Sequence, residues 1–269
     1  MRGIFDTHAH YDDEAFDGDR EEILSELEKQ GYSGIVDIGA SFDSCKKAVE
    51  LSESHNIVYA TVGIHPDCIE DFFEGGDSKN TSDNKVIGEM YNMIKNHKKV
   101  VAVGEIGLDY HNMTCEKDVQ AVWFRAQLDM AKELSMPVVI HSREAERDTE
   151  VILKEYAGKL PPSIMHCYSY SKESAREFIK MDYYLGIGGV VTFKNAKKLV
   201  EAVEDTPISR IVLETDCPYL SPEPNRGKRN SSLNLPFIVE KIAQIKNIDP
   251  EEVIEVTTSN AKKLYGISI

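Results

Sequence analysis

The sequence predicts an α/β protein folded as a single (β/α)8 TIM barrel, with a metal site on the C-terminal rim of the strands. Three observations carry the fold. Short apolar runs alternate with longer amphipathic stretches from end to end. There are eight such runs. The 269 residues match the ~250 that eight strand–helix units occupy. A strand followed by a helix, repeated, implies parallel strands joined by right-handed crossovers. An open doubly wound sheet is the alternative that the same alternation allows.

The runs cover residues 3–6, 34–38, 57–62, 100–103, 137–140, 163–165, 183–187 and 211–213. Each is short and mostly β-branched or aliphatic, as strands buried on both faces are. Between the first two, Ile23, Leu24 and Leu27 form one apolar stripe within residues 19–30, as a helix would place them. After the third run, residues 71–84 are rich in Gly, Asp, Ser and Asn. They predict a surface excursion rather than a linker between domains. Before the fifth run, Val122, Trp123, Ala126, Leu128, Met130, Ala131 and Leu134 give a broad apolar face. Pro137 cannot continue that helix. Pro236 is placed as a first-turn proline before Phe237, Ile238, Ile242 and Ile245. A last helix is expected from Asp249, with Pro250 as its opener, to Tyr265. Residues 1–269 are thus expected to form one domain.

Composition excludes several classes. Hydrophobic residues are 41% and charged residues 29% of the chain, so a core and a polar surface can coexist and disorder is not the main state. No apolar run approaches the ~18 residues that span a bilayer, so no membrane partner is expected. The N-terminal Met1-Arg2-Gly3-Ile4-Phe5-Asp6 meets a charge at once and predicts no secretory signal. Five cysteines, Cys45, Cys68, Cys115, Cys167 and Cys217, are scattered without a CxxC pair. That argues against a structural zinc knuckle and for reduced thiols in the cytoplasm. A net charge of −15 argues against coating nucleic acid or anionic membrane by bulk electrostatics. A local polyanion site remains open.

The chemistry-bearing residues fall at the predicted strand ends. They are Asp6-Thr7-His8-Ala9-His10, Gly63-Ile64-His65-Pro66, Gly104-Glu105-Ile106-Gly107-Leu108-Asp109, His141-Ser142-Arg143, His166-Cys167-Tyr168 and Leu213-Glu214-Thr215-Asp216-Cys217-Pro218-Tyr219-Leu220. In a barrel those ends converge on one rim. Singly, each histidine reads as a hydrogen-bonding residue and each carboxylate as half of a salt bridge. His8-Ala9-His10, however, puts two imidazoles on one side of an extended segment. Glu105 and Asp216, buried behind apolar strands, would need a cation or donors. Together His8, His10, Glu105, His141, His166 and Asp216 predict a metal centre of histidine and carboxylate, suited to zinc, manganese or magnesium. Six ligands exceed what one open four-coordinate zinc uses. Two ions sharing Glu105 fit better.

These segments resemble the TatD family of metal-dependent deoxyribonucleases, within the amidohydrolase-like barrels. The resemblance runs from the first strand to the last helix. It implies a one- or two-metal centre in which His8, His10, Glu105 and Asp216 hold one ion and Glu105, His141 and His166 the other. Many amidohydrolase relatives bridge with a carbamylated lysine. Here that strand ends in Glu105, as in TatD proteins. One departure stands out. The Arg-Gly-x-Arg-Asn pattern is kept as Arg226-Gly227-Lys228-Arg229-Asn230, but the Glu-Pro that commonly follows is Ser231-Ser232.

The expected activity is hydrolysis of DNA phosphodiesters by a metal-activated water, as a 3′-5′ exonuclease on single strands or 3′ ends, with no obligatory protein partner. Asp216 is expected as ligand and proton acceptor, and His65 on the phosphate or leaving group. Arg226 and Arg229 are expected on backbone phosphates, and Tyr168, with Tyr110 and Tyr219, on a base. Two divalent ions outweigh two carboxylates and a hydroxide, so the centre is cationic inside an acidic shell. Binding is then short-range and metal-dependent. The competing expectations are the same centre acting on another ester or amide (an aminoacyl-tRNA ester, a small phosphodiester or a lactone) and a metal-binding protein without turnover.

Overall fold

The computed structural model describes residues 1–73, 78–81 and 84–267. Its eight strands form one parallel sheet in chain order. They are β1 (Phe5–Ala9), β2 (Gly34–Asp37), β3 (Val58–Val62), β4 (Val100–Asp109), β5 (Val138–Arg143), β6 (Ser163–Met165), β7 (Tyr183–Ile187) and β8 (Ile211–Leu213). The helices between them are α1 (Arg20–Gln30), α2 (Phe42–Ser54), α3 (Lys85–Asn96), α4 (Lys117–Leu134), α5 (Glu146–Glu155), α6 (Lys172–Lys180) and α7 (Lys197–Asp205). After β8 come α8 (Leu235–Lys246) and α9 (Pro250–Tyr265). The closed barrel is the expected class, and the open sheet is excluded by how β8 returns to β1. His8 O accepts from Asp216 N at 2.9 Å and from Thr215 N at 3.3 Å, and His10 N donates to Cys217 O at 2.8 Å.

Alternate strand positions fill the barrel. Phe5, Val36, Val101, Val139, Ile164, Tyr184 and Val212 share one buried cluster with Ala261, Leu264 and Tyr265 of α9. The last helix therefore plugs the N-terminal end, where the Tyr265 hydroxyl donates to Thr7 O at 2.9 Å. The opposite strand positions, among them Ile35, Val58, Val138 and Ile211, pack outward under the helices. Pro236 and Pro250 lie in the first turns of α8 and α9 as expected. No helix among the described residues is long and apolar enough to cross a membrane.

Two strands run further than the apolar pattern indicated. β4 is ten residues long and continues through Glu105 to Asp109, and β5 continues to Arg143. The ladder explains it: Ile106, Gly107, Leu108 and Asp109 pair with Ile140, His141, Ser142 and Arg143. Glu105, Asp109 and His141 thus sit on strands, not past them. Gly107 makes the pairing possible. Its φ is +148°, and a Cβ there would lie 1.9 Å from His141 O. Of the 71–84 stretch, residues 74–77 and 82–83 lie outside the described residues. Asn84 caps α3 through Val86 N at 3.0 Å, and its amide donates to Phe72 O at 2.8 Å.

Candidate metal centre

The seam that closes the barrel also assembles half of the centre. β1 delivers His8, the residue just past it is His10, and the residues just past β8 deliver Asp216. Asp6 holds the two together. Its Oδ1 accepts from His8 N at 3.2 Å and Thr215 N at 3.0 Å. Its Oδ2 accepts from Thr215 Oγ1 and Ser232 Oγ, both at 2.7 Å. Ser232 N–H in turn donates to the Tyr11 hydroxyl at 3.0 Å. A proline at 232 has no N–H to give, so the Ser231-Ser232 departure is absorbed into this network.

His10 Nδ1 lies 3.1 Å from Ile38 O. A carbonyl only accepts, so Nδ1 carries the proton and Nε2 presents its lone pair. That lone pair faces His8 Nε2 at 3.2 Å. Asp216 Oδ1 lies 3.4 Å from His10 Nε2 and 3.6 Å from His8 Nε2, and Glu105 Oε2 lies 3.4 Å from His8 Nε2. The other Glu105 oxygen looks the opposite way. Oε1 is 2.9 Å from His141 Nδ1, 3.6 Å from His166 Nε2 and 3.9 Å from His65 Nε2. The structure brings all six predicted ligands together around Glu105, with His166 also 3.9 Å from Asp216 Oδ1 and its ring stacked on that of His8.

Burial opposes the charge on Glu105, yet His166, His8 and the hydrogen bonds with His141 and His8 hold its carboxyl well below the usual range. Burial disfavours the charged imidazoles too, but Asp216 raises His10 to about 10. Glu214 and Glu105 raise His166 to about 9, and Asp109 and Glu105 do the same for His141. Protons and cations therefore compete for the same lone pairs. Divalent ions fit these residues: imidazole and carboxylate donors converge on Glu105, and the Cys167 thiol groups with His166 and Glu214 instead. His8 Nδ1 is also buried without a hydrogen-bond partner. Three triplets, His8–Glu105–His166, His8–His10–Asp216 and His65–Glu105–His141, each bring one donor atom per residue within 4.8 Å of the others.

His65 differs from the rest. Its Nδ1 accepts from Asp67 N at 3.1 Å, so its proton resides on Nε2, the atom facing Glu105. Burial and His141 push its pKa down to about 3, so it stays a neutral donor.

Three supporting residues escaped the sequence reading. Asp6 spans the seam. Asp109 Oδ2 fixes His141 Nε2 at 3.1 Å while Oδ1 accepts from His111 N and Asn112 N. Glu214 is fully buried, accepts from Cys167 N at 2.6 Å and lies 3.3 Å from His166 Nδ1. Gly186 clears its space, since a Cβ there would lie 2.1 Å from Glu214 Oε2. Asp6, Asp109 and Glu214 all stand inside the quoted motifs. A buried carboxylate beside a ligand was the available signal.

The substrate contacts fare differently. Tyr168 is buried and its hydroxyl donates to Ser171 O, so it cannot stack on a base. Tyr219 is 55% exposed and its ring lies 6.3 Å from that of His10. Arg229 spends its guanidinium on Asp19 and Ala15 O. Arg226 is exposed, with its guanidinium 4.2 Å from the Phe193 ring centre. The ligands open into a cavity of about 410 Å³ whose wall includes Asp12, Asp13, Cys68 and Tyr219 and, among the described residues, no lysine or arginine.

Comparison with known proteins agrees with this picture. The profile of the family described as TatD related DNase matches residues 5–266. The uncharacterized metal-dependent hydrolase YabD of Bacillus subtilis is 42% identical over 265 residues, covering 98% of this chain and 100% of YabD. The uncharacterized metal-dependent hydrolase MJ1582 of Methanocaldococcus jannaschii is 35% identical, covering 97% of this chain and 96% of its own. Among solved structures, YJJV, a TatD homolog from Escherichia coli, superposes with a TM-score of 0.87 at 26% identity, over 98% of each chain.

Proposed function

The chain belongs to the family of TatD related DNases, a metal-dependent hydrolase with a TIM barrel, and from that premise we propose that it hydrolyses phosphodiester bonds of DNA as a 3′-5′ exonuclease. One observation carries the proposal: the two oxygens of a single buried carboxylate, Glu105, face different imidazoles, Oε2 that of His8 and Oε1 that of His141, with His166 stacked on His8 and within reach of Oε1. That division suits two ions sharing one bridge. His8, His10, Glu105 and Asp216 would hold one divalent ion, and Glu105, His141 and His166 the other, with Mg, Mn and Zn all compatible with the donors. Bound there, such ions supply positive charge against the developing charge of a phosphoester and acidify a neighbouring water.

The chain's own residues do the rest. Asp216 accepts the proton of the attacking water; without metal, its bond to His10 and the neighbouring His166 already hold its carboxyl below the usual range against burial. His65 donates its Nε2–H to a phosphate or leaving-group oxygen. Because its pKa is so low, it takes up no second proton and adds no charge. Tyr219 takes the place assigned to Tyr168 against a terminal base, and Arg226 pairs with a backbone phosphate. Arg229 holds the loop that carries Arg226. Five unbridged cysteines favour the cytoplasm, and we propose one domain acting without an obligatory partner.

A second reading keeps the centre but changes the substrate to a small ester or amide. The absence of lysine and arginine from the cavity wall favours it. Single-stranded DNA labelled at either end, incubated with Mg²⁺, Mn²⁺, Zn²⁺ or chelator beside Glu105→Ala, decides between them. Stepwise loss from the 3′ end that disappears with chelator and in the variant is expected. Intact DNA under every metal, alongside fast turnover of an aryl ester, would favour the second reading.

A further inference from the structure

The rim of the barrel is divided by charge, and we infer that its β7–β8 side seats the phosphate backbone of the substrate strand, an inference that rests on the nuclease reading above. After β1, residues 10–19 contain five Asp or Glu and no Lys or Arg. After β3, residues 63–73 contain three and again no Lys or Arg. Across the seam the sign reverses. Residues 183–200, running from β7 into α7, contain three lysines and no Asp or Glu in a chain of net charge −15.

Lys194, Lys197 and Lys198 are exposed. So are Arg226 and Lys228 in the loop after β8. None of the five is ion-paired among the described residues. The two cationic segments are packed together, so their charges share one edge. Thr192 Oγ1 accepts from Glu223 N at 2.8 Å, a Cβ on Gly189 would lie 2.1 Å from Leu220 O, and Arg226 rests on Phe193. The boundary between the halves is the β8–β1 seam. There Arg229 pairs with Asp19 at 2.8 Å and the Tyr219 hydroxyl donates to Asp13 at 3.0 Å.

Helix stability does not account for the lysines. The first turn of α7 has no acidic residue and no side-chain cap, although acids, not lysines, stabilise that end of a helix. Helix N-termini open on the rim that carries the site, so these charges face the substrate side. A polyanion repelled by the β1 and β3 loops meets attraction along β7–β8, where the cations of two adjacent loops gather on one edge. The strand is thereby oriented, its body over Lys194, Lys197, Lys198 and Arg226 and its terminal nucleoside toward the acidic wall of the cavity.

The test compares KM of the metal-loaded enzyme for a dinucleotide and for a 20-nucleotide single strand, across salt concentrations. Wild type should bind the longer strand more tightly, by roughly tenfold, with a steep salt dependence. In the triple variant Lys194→Gln/Lys197→Gln/Lys198→Gln the gap should close, and the slope of log KM against log salt should fall by about 2, at about 0.7 for each phosphate that the variant leaves unneutralised. Lys262→Gln/Lys263→Gln, in the last turn of α9, removes similar charge at the other end of the barrel and should leave gap and slope as in wild type. If wild type cleaves both substrates and the triple variant keeps gap and slope, the inference is overturned while the nuclease reading stands. If wild type cleaves neither, the nuclease reading itself falls.

Discussion

Glu214→Gln should weaken metal binding without unfolding the protein. The substitution keeps side-chain volume and leaves a carbonyl oxygen for the Cys167 N–H now bonded at 2.6 Å. It removes the negative charge 3.3 Å from His166 Nδ1. It also places amide hydrogens where Oε2 has no partner, beside Gly186. His166 then loses the strongest of the influences that raise its basicity, and with it the force that keeps the proton on Nδ1 and the lone pair on Nε2. A carboxylate standing behind a metal-bound imidazole is worth about 10–100-fold in affinity, or roughly 1.4–2.7 kcal/mol. Calorimetric titration with Mn²⁺ or Zn²⁺ reads that number directly, and thermal unfolding of the same sample checks the fold. Gly186→Ala should move affinity the same way, because its Cβ takes the space of Glu214 Oε2. Affinity unchanged to within about twofold, against that 10–100-fold expectation, in a Glu214→Gln protein with the wild-type unfolding midpoint would refute the reasoning.

Other outcomes follow from the same contacts. Burial, outweighing bonds from Thr215, Ser232 and His8, pushes Asp6 from 3.8 up to about 7. The folded state therefore holds that proton longer than the unfolded chain, and stability falls as pH rises from about 4 to about 7, the loss being complete above that. At about 1.4 kcal/mol per pH unit the contribution is roughly 4 kcal/mol. Urea unfolding of Asp6→Asn beside wild type should show the difference moving in the variant's favour across that window, and a flat difference would count against it. Lys99 Nζ donates to Ser52 O, His55 O, Asn56 O and Val58 O, at the end of α2 and the start of β3. Lys99→Met should cost roughly 2 kcal/mol in urea unfolding, since charge-assisted hydrogen bonds are lost, and a variant as stable as wild type would contradict that. Arg226→Ala should raise KM for DNA at an unchanged unfolding midpoint, whereas Arg229→Ala, which frees Asp19 and the loop, should lower the midpoint. The reverse pattern would exchange their roles.

Much of this was legible because a barrel ties local pattern to global position. Eight apolar runs fixed the strands in order, and the fold sends every strand end to one rim, so six scattered ligands could be read as one cluster. What escaped depends on partners distant in sequence. Arg229 looked like a phosphate ligand until its bond to Asp19, 210 residues away, came into view. Tyr168 and Tyr219 are alike as residues, and only the packing of the rim buries one and exposes the other. The ends of β4 and β5 were hidden because Glu105, Asp109 and His141 are polar, and polarity ordinarily marks a loop. A buried rim that collects charges reverses that rule.

The closing seam has a consequence for how the protein comes into being. His8 and His10 are made before Glu214 and Asp216 by more than 200 residues. No nascent chain that stops short of them can finish the barrel, because the carbonyl of His8 has no Asp216 N–H to receive. A chain truncated there lacks both the closing seam and the Asp216 carboxylate. The last strand completes what the first begins, so the two halves of the ligand set meet only when the whole barrel has closed.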